Sequence, residues 1–411
     1  MRSRSRFSMS TPARITRRSG TGGSIPFRTT VSKQRPIDNR GKTTLMSGWR
    51  ALRPATCWRK VTMMLASDEC VSTDDKRRPD HREGPQPVRM LPASGLTRRG
   101  NILFQYNLIS GCSYHRVLLP LGNMPDFDTR VPVLYFNRDG FEPAALEDFR
   151  RRGGRVVIDL DDDIVLGDDH VLYDAFKDLG CAERIVTCVK LADAVLVTNE
   201  QLASRVAQFN RNVVVVPNAL PFDEGQFGLT APDGGRKIVY AGGYTHEADL
   251  RLVRDALPRD EFVLAGDPGT RGEDVASQAW TRIRSMLDFA EVRPALGVKE
   301  YMRHYVGRSI SIAPLVDTPF NRCKSNLKAL EAGAKGLAFV ASRVLPYDNA
   351  VDKDVVLYAS SEAEWKAVLG KLVGDPVYCA ERGHALAEHV RRHYHIRDAN
   401  AIRRQVFESF R

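Results

Sequence analysis

Long apolar runs are missing: no stretch of the 411 residues approaches the ~18 consecutive apolar positions of a bilayer-crossing helix. The start, MRSRSRFSMS, lacks the apolar centre of a secretory signal. Cysteine is sparse and poorly spaced for metal. The seven cysteines (57, 70, 112, 181, 188, 323 and 379) form no CxxC pair, and Cys181 and Cys188 are too far apart for an ordinary zinc pair. Reduced thiols in the cytoplasm are the simplest expectation. A phosphate loop is missing too: NRGKTT (Asn39 to Thr44) carries Pro36 where the motif needs its first glycine.

Positive charge is abundant but local. The chain carries +11, yet residues 1–99 hold 22 Lys+Arg against 7 Asp+Glu, a net of +15. Residues 100–411 hold 39 against 43, a net of −4. The basic pI therefore says nothing for nucleic-acid binding by the rest of the chain, and no nucleic-acid partner is expected. Residues 1–99, rich in Arg, Ser, Thr, Pro and Gly without periodicity, read as a disordered basic leader. A basic arm, a transit peptide, or an upstream-extended start with the working protein beginning near Met90 all fit that composition.

Beyond residue 100, short Val/Ile-rich runs alternate with helical stretches. Continuous apolar runs between helices indicate parallel strands covered on both faces, and hence an α/β, doubly wound architecture with ligands at the carboxyl ends of strands. The Gly/Pro/Asp-rich stretch Pro221 to Lys237 reads as a linker. The expected division is a leader (1–99), one Rossmann-like domain (100–225), a second (226–395) and a terminal helix (396–411), with a substrate site in the cleft between the two domains.

RVVIDLDDDIV (Arg155 to Val165) puts four aspartates after an apolar run. It resembles the first motif of the haloacid-dehalogenase phosphatases. That resemblance makes Asp159 the nucleophile and Asp161 the acid on magnesium, with Thr198 on phosphate and Asp267 or Asp274 completing the acidic set. Single-domain, manganese-dependent glycosyltransferases also carry Asp-x-Asp. The bland reading is a strand end whose aspartates cap the next helix. The phosphatase motif leaves everything past residue 280 unexplained, and Asp163 stands where that family has Thr or Val.

The stretch from Ser309 to Ser342 reads strand, polar loop, helix, glycine turn, strand. A helix over 324–335 puts Lys324, Lys328 and Glu331 on one polar face and Leu327, Leu330 and Ala334 on an apolar stripe, with Gly336 as C-cap. Two cations and a carboxylate near a helix start suit a nucleoside diphosphate: the cations and helix N–H groups take the phosphates, and the glutamate accepts from ribose. A solvated face, with Glu331 paired to Lys335, fits the spacing as well.

LEAGAKGLAFVAS (Leu330 to Ser342) resembles the donor-binding segment of GT-B glycosyltransferases, close to glycosyltransferase family 4. VYAGGYTHEADL (Val239 to Leu250) resembles that group's Gly-rich loop, ADAVLVTNEQLASRV with VVVVPNAL (192–220) the end of its first domain, and GCSYHRVLLP (Gly111 to Pro120) its acceptor-side loop. The resemblance implies two Rossmann-like domains facing a cleft and a donor site at Gly242, Gly243, His246, Lys324, Ser325, Lys328 and Glu331. It brings Asp161, Asp162, His115 and Lys324 forward as catalytic candidates, with Arg116 also able to reach the cleft and Asp159 supporting the loop. Two departures stand out: Cys323 occupies the place of the family's first glutamate, eight residues before Glu331, and the loop after Gly242 and Gly243 lacks the usual Arg and Lys.

The implied activity is transfer of a sugar from a nucleotide-sugar co-substrate to a glycan, lipid-linked or protein acceptor, as in polysaccharide biosynthesis. Retention of configuration is expected, with no metal or other cofactor. The expected setting is cytoplasmic, with peripheral attachment to a membrane compatible. A GT-B module that binds without turnover is the remaining alternative. Deleting residues 1–89 is expected to leave a protein that unfolds in a single cooperative transition. Loss of that transition in thermal or urea unfolding would show that the leader carries part of the core.

Overall fold

The runs VLYF, VVID, AVLV, IVYA and FVLA have no polar alternation, which suits strands covered on both faces. In the computed structural model each lies inside one of two six-stranded sheets. The structure describes residues 94–107, 110–138 and 140–410. The leader up to residue 93, including the NRGKTT segment and Met90, lies outside them.

The first sheet runs in sequence order: β1 (Ser94–Arg99), β2 (Ile102–Asn107), β3 (Val133–Asn137), β4 (Arg155–Leu160), β5 (Ala194–Val197) and β6 (Val213–Val215). β2 to β6 are parallel, while β1 pairs antiparallel to β2, Ser94 opposite Asn107. Helices α2 (Pro143–Arg151), α4 (Cys181–Leu191) and α5 (Glu200–Val206) cover one face, and short α3 (Tyr173–Asp178) precedes α4. The other face is covered by α1, a helix over 111–122 with a π turn at Tyr114–Leu118, and by the last helix of the chain.

The second sheet has the order β12-β11-β10-β7-β8-β9, all parallel. Its strands are β7 (Ile238–Ala241), β8 (Phe262–Asp267), β9 (Glu291–Pro294), β10 (Ile310–Ala313), β11 (Ala338–Ser342) and β12 (Leu357–Ala359). Order reverses between β7 and β10, so a crevice opens at their carboxyl ends. The helices are α6 (Glu247–Arg251), α7 (Val275–Met286), α8 (Pro319–Arg322), α9 (Leu327–Lys335), α10 (Glu362–Gly374) and α11 (Pro376–His393). α9 packs against α11 at Gly383, where a Cβ would strike the carbonyl of Gly336.

The last helix, α12 (Ile396–Ser409), returns to the first sheet. Leu220 and Ile396 exchange backbone hydrogen bonds with the facing chain at 3.1 and 3.0 Å, and Asn400 donates to the Pro120 carbonyl at 3.0 Å. Phe407 stacks on Phe127 and meets Tyr135 edge-on. One buried apolar cluster runs from Phe104 and Tyr135 through Leu220 to Phe339 and Phe407, joining both halves. No helix among the described residues is long and apolar enough to cross a membrane.

Several expected elements differ. Ser94–Arg99, read as part of the leader, forms the edge strand β1, and no apolar pattern marks it: its single large apolar residue, Leu96, is exposed. β9, with exposed Val292 and Arg293, shows no apolar run either. The segment 111–122, read as a loop, is helical around Pro120. A 3₁₀ turn, Tyr301–Tyr305, precedes β10. Cys112, Cys323 and Cys379 form no disulfide.

The helix expected over 324–335 begins only at Leu327. Asn199, the N-cap of α5, donates to the carbonyls of Cys323 and Lys324 at 3.1 and 2.7 Å, taking the acceptors that an extra helical turn would need. Nor has α9 a solvated polar face: Ala329 through Lys335 are all buried. Leu330 is fully buried, whereas Leu327 is half-buried. Leu330→Ala should cost about 2–5 kcal/mol in urea unfolding, with a smaller loss for Leu327→Ala. Equal losses would mean that Leu327 carries as much of the core.

Candidate active site between the two sheets

Strand β4 delivers the four aspartates to the carboxyl edge of the first sheet, and each is answered by a guanidinium from another element. Asp159 is fully buried and takes a forked ion pair from Arg116, 2.5 and 3.2 Å. The Tyr135 hydroxyl donates to the same carboxylate at 2.5 Å. Asp161 accepts from Arg138 at 3.0 Å, and Asp162 pairs with the same guanidinium at 2.5 Å. Asp163 pairs with Arg205 of α5 at 2.5 Å. Burial opposes ionisation of Asp161, but Arg138 outweighs it and holds the carboxyl at about 2.

These pairs correct the phosphatase reading. A nucleophile must reach solvent and substrate, and Asp159 is sealed beneath Arg116 and Tyr135. Asp267 pairs with Arg284 at 2.8 Å in the second sheet, and Asp274 caps α7 through Ser277. Thr198 is buried, its hydroxyl without a partner among the described residues. The two-sheet fold also removes the single-domain reading of Asp-x-Asp. Arg116 does not reach the cleft either: it is fully buried, and its remaining hydrogen bonds go to Asn218 and the Val216 carbonyl, both 2.9 Å.

A cavity of about 270 Å³ opens where the carboxyl ends of the two sheets meet. His115, Asp161 and Asp162 line it from the first half; His246, Lys324, Ser325, Lys328 and Glu331 line it from the second. Gly242 and Gly243 do not line it. Gly242 sits beneath, where a Cβ would press on the Tyr240 hydroxyl (2.6 Å) and Lys328 Nζ (3.0 Å), so its smallness admits the lysine.

Glu331 is buried at the centre. Its carboxylate accepts from the Tyr305 hydroxyl at 2.7 Å and faces His115 Nε2 at 3.8 Å. Burial raises its pKa from 4.5 to about 7, against the pull of Lys328. Burial also lowers the Lys328 ammonium, which donates to the Ala241 carbonyl and lies over the Tyr240 ring. His115 is pushed down to about 4 by burial and is neutral at pH 7; its Nδ1 is buried without a partner among the described residues. His246 is lowered by burial and tied to Asp249 at 2.6 Å. Lys324 stands over Phe320, 3.6 Å from Asp162 across the cleft.

The expected pairing of Glu331 with Lys335 does not occur, because Lys335 ends α9 away from this cavity. Sequence reasoning missed Arg138, Asn218, Tyr301, Tyr305 and Tyr347. Asn218 bridges the halves, accepting from Arg116 and donating to Ser325 Oγ at 2.7 Å. Its place in VVVVPNAL was visible, but not its two partners a hundred residues away in either direction. Cys112, Asp161 and Asp162 bring metal-type donor atoms within 4.8 Å of one another, yet Arg138 already sits among them, 3.4 Å from the sulfur.

No protein-family model and no curated protein sequence matches the chain. Among solved structures it resembles sucrose-phosphate synthase from Thermosynechococcus elongatus, with a TM-score of 0.51 and 12% identity over 67% of this chain and 73% of that one. The UDP-forming α,α-trehalose-phosphate synthase from Burkholderia xenovorans gives a TM-score of 0.48 and 13% identity, covering 68% and 74%. The fold is of the GT-B type: two Rossmann-like α/β units, with helices on both faces, that meet across a cleft.

The carboxyl of Glu331 holds its proton more tightly in the folded chain than in the unfolded one, so its contribution to stability is complete below pH 4.5 and is lost as pH rises through about 7. Wild type should lose on the order of 3 kcal/mol over this window relative to Glu331→Gln. Urea titrations of both proteins at each pH measure the difference. Parallel curves would show that Glu331 ionises without penalty.

Proposed function

We propose that the cleft transfers a glycosyl group from a nucleotide-sugar to a hydroxyl acceptor, in the manner of glycosyltransferase family 4. One observation carries this reading: Lys324, Lys328 and Glu331 of the second half share a single cavity with His115, Asp161 and Asp162 of the first. In this reading residues 226–395 hold the donor and residues 100–225 hold the acceptor. The acceptor is a glycan, a lipid-linked saccharide or a protein.

Glu331 accepts from the ribose hydroxyls through the oxygen that Tyr305 leaves free. Lys324 and Lys328 face the diphosphate. In the reaction the bond from the anomeric carbon to phosphate oxygen breaks, and the diphosphate takes the electron pair. The acceptor oxygen bonds the same carbon and releases its proton. Charge therefore builds on phosphate in the transition state, where fixed cations in a poorly hydrated cleft act most strongly. Neutral His115 is suited to hydrogen-bond a sugar hydroxyl. Asp161 and Asp162, both paired to Arg138, offer their remaining lone pairs to sugar. Arg138 and Lys324 together balance the two carboxylates without a metal, so transfer should survive EDTA. Retention of anomeric configuration is part of the same proposal.

A second reading has its own observation. Cys323, at the place of the family's first glutamate, is fully buried, with its sulfur 3.9 Å from Asp163, and does not line the cavity. A chain without that carboxylate fits a module that binds a nucleotide-sugar without turnover.

Screening nucleotide-sugars for thermal stabilisation and for release of nucleotide separates the two readings: stabilisation with turnover supports transfer, and stabilisation alone supports the module. At pH 8, Glu331→Gln should weaken donor binding roughly ten- to a hundredfold, the loss of a hydrogen bond to a charged group worth about 1.5–3 kcal/mol. Lys324→Ala and Lys328→Ala should slow transfer more than they weaken binding. Wild-type affinity and rate in all three variants would remove the proposed site. Activity abolished by EDTA and restored by magnesium or manganese would overturn the metal-free mechanism.

A further inference from the structure

A second cavity, of about 510 Å³, lies at the opposite edge of the second sheet. It is framed by Lys237 and Ser309, which precede β7 and β10, and by Gly336 before β11. This is the amino-terminal end of the strands, away from the cleft. Leu372, Val373, Pro376 and Ala387 give it an apolar wall, and Leu229, 58% exposed, stands at its mouth. Lys237, Arg308 and Lys335 line it, and among the described residues its lining contains no aspartate or glutamate.

Lys335 is the unusual member. It is 6% exposed, and among the described residues its ammonium has neither a hydrogen bond nor an ion pair. Its stem is covered, while its ammonium opens onto the cavity rather than being sealed in protein. Service to the end of α9 does not explain it. The Ala332 carbonyl is taken by Leu337, that of Gly333 by Gly336 and Arg391, that of Ala334 by Arg391, and that of Lys335 itself by Thr230. Arg391 is thus the cation at this helix end, and Lys335 is left facing the cavity. Thr230, also in the lining, has a buried hydroxyl without a partner among the described residues. The other two cations are partly engaged: Arg308 donates to the Arg236 carbonyl, and Lys237 to the Val373 carbonyl and Glu261.

We propose that this cavity is a second binding site for an anion-headed amphiphile, a carboxylate or phosphate monoester carrying an apolar chain, with Lys335 and Arg308 on the head and the Leu372–Pro376 wall along the chain. Its size lies within the range of small-molecule sites, and its mixture of apolar wall and few convergent polar groups is theirs too. A segment of the chain's own leader is a poor occupant, because residues 1–99 carry a net charge of +15.

Calorimetric titration of the full-length protein tests the proposal with four probes: octanoate, octyl phosphate, inorganic phosphate and octan-1-ol. Octanoate or octyl phosphate should bind with one-to-one stoichiometry, and the tighter of the two identifies the head group. Inorganic phosphate and octan-1-ol should bind at least about tenfold more weakly, one lacking the chain and the other the charge. Lys335→Met should reduce binding of the preferred amphiphile at least about tenfold, since it removes a charge-assisted hydrogen bond. Ala380→Trp, a change at an exposed position of the lining, should also weaken it without disturbing the core, and decides the matter if Lys335→Met does not fold. No binding by either amphiphile would overturn the proposal. So would equal binding of inorganic phosphate or octan-1-ol, or wild-type affinity in Lys335→Met.

Discussion

The ion pair between Arg116 and Asp159 is the constraint on which the rest of the structure depends. Both groups are fully buried, and a charge removed from water survives only when paired and hydrogen-bonded. Each remaining polar contact of the pair therefore has to be supplied by another part of the chain. Tyr135 comes from β3, Val216 and Asn218 from the segment after β6, and Arg403 of α12 reaches the Tyr135 hydroxyl at 3.3 Å. Asn218 then carries the network across to Ser325. One buried salt bridge thus ties α1, the first sheet, the crossing segment and the last helix to the loop that opens the cleft.

The cleft above this network is close to electrical balance. Asp161 and Asp162 are matched by Arg138 and Lys324, His115 is neutral, and Glu331 is poised near neutral pH opposite a lysine whose charge burial weakens. Burial is the largest influence on each of the three shifted groups, His115, Glu331 and Lys328. A site arranged in this way meets an anionic ligand with cations that water screens little, and the same low polarity that makes Glu331 costly in the free protein strengthens any hydrogen bond it makes to a ligand.

Much of this was legible in the chain. Apolar runs such as VVID and AVLV announce buried parallel strands because a strand covered on both faces needs apolar residues at consecutive positions. The glycine after Lys335 announces the end of α9. Clustering of Lys324, Lys328 and Glu331 was visible as spacing. Other features left no local trace. β1 and β9 are edge strands, and neither carries an apolar run. The start of α9 is set by Asn199, 125 residues before Lys324. The polar face expected on that helix is buried because the neighbouring strands, Tyr305 and α11 surround it.

By itself, then, the sequence determined the α/β alternation and the residue types available to the cleft, since these follow from local periodicity and composition. The aspartates of DLDDD show where that stops. Four carboxylates in five positions are chemically alike in the sequence, and their separate fates depend on which guanidinium reaches each one: Arg116, 43 residues before Asp159; Arg138, shared by Asp161 and Asp162; and Arg205, beyond Asp163. Only the tertiary structure decided this. Electrostatic partners and burial act through space, and neither separation along the chain nor spacing within a motif encodes which charges will be removed from water together.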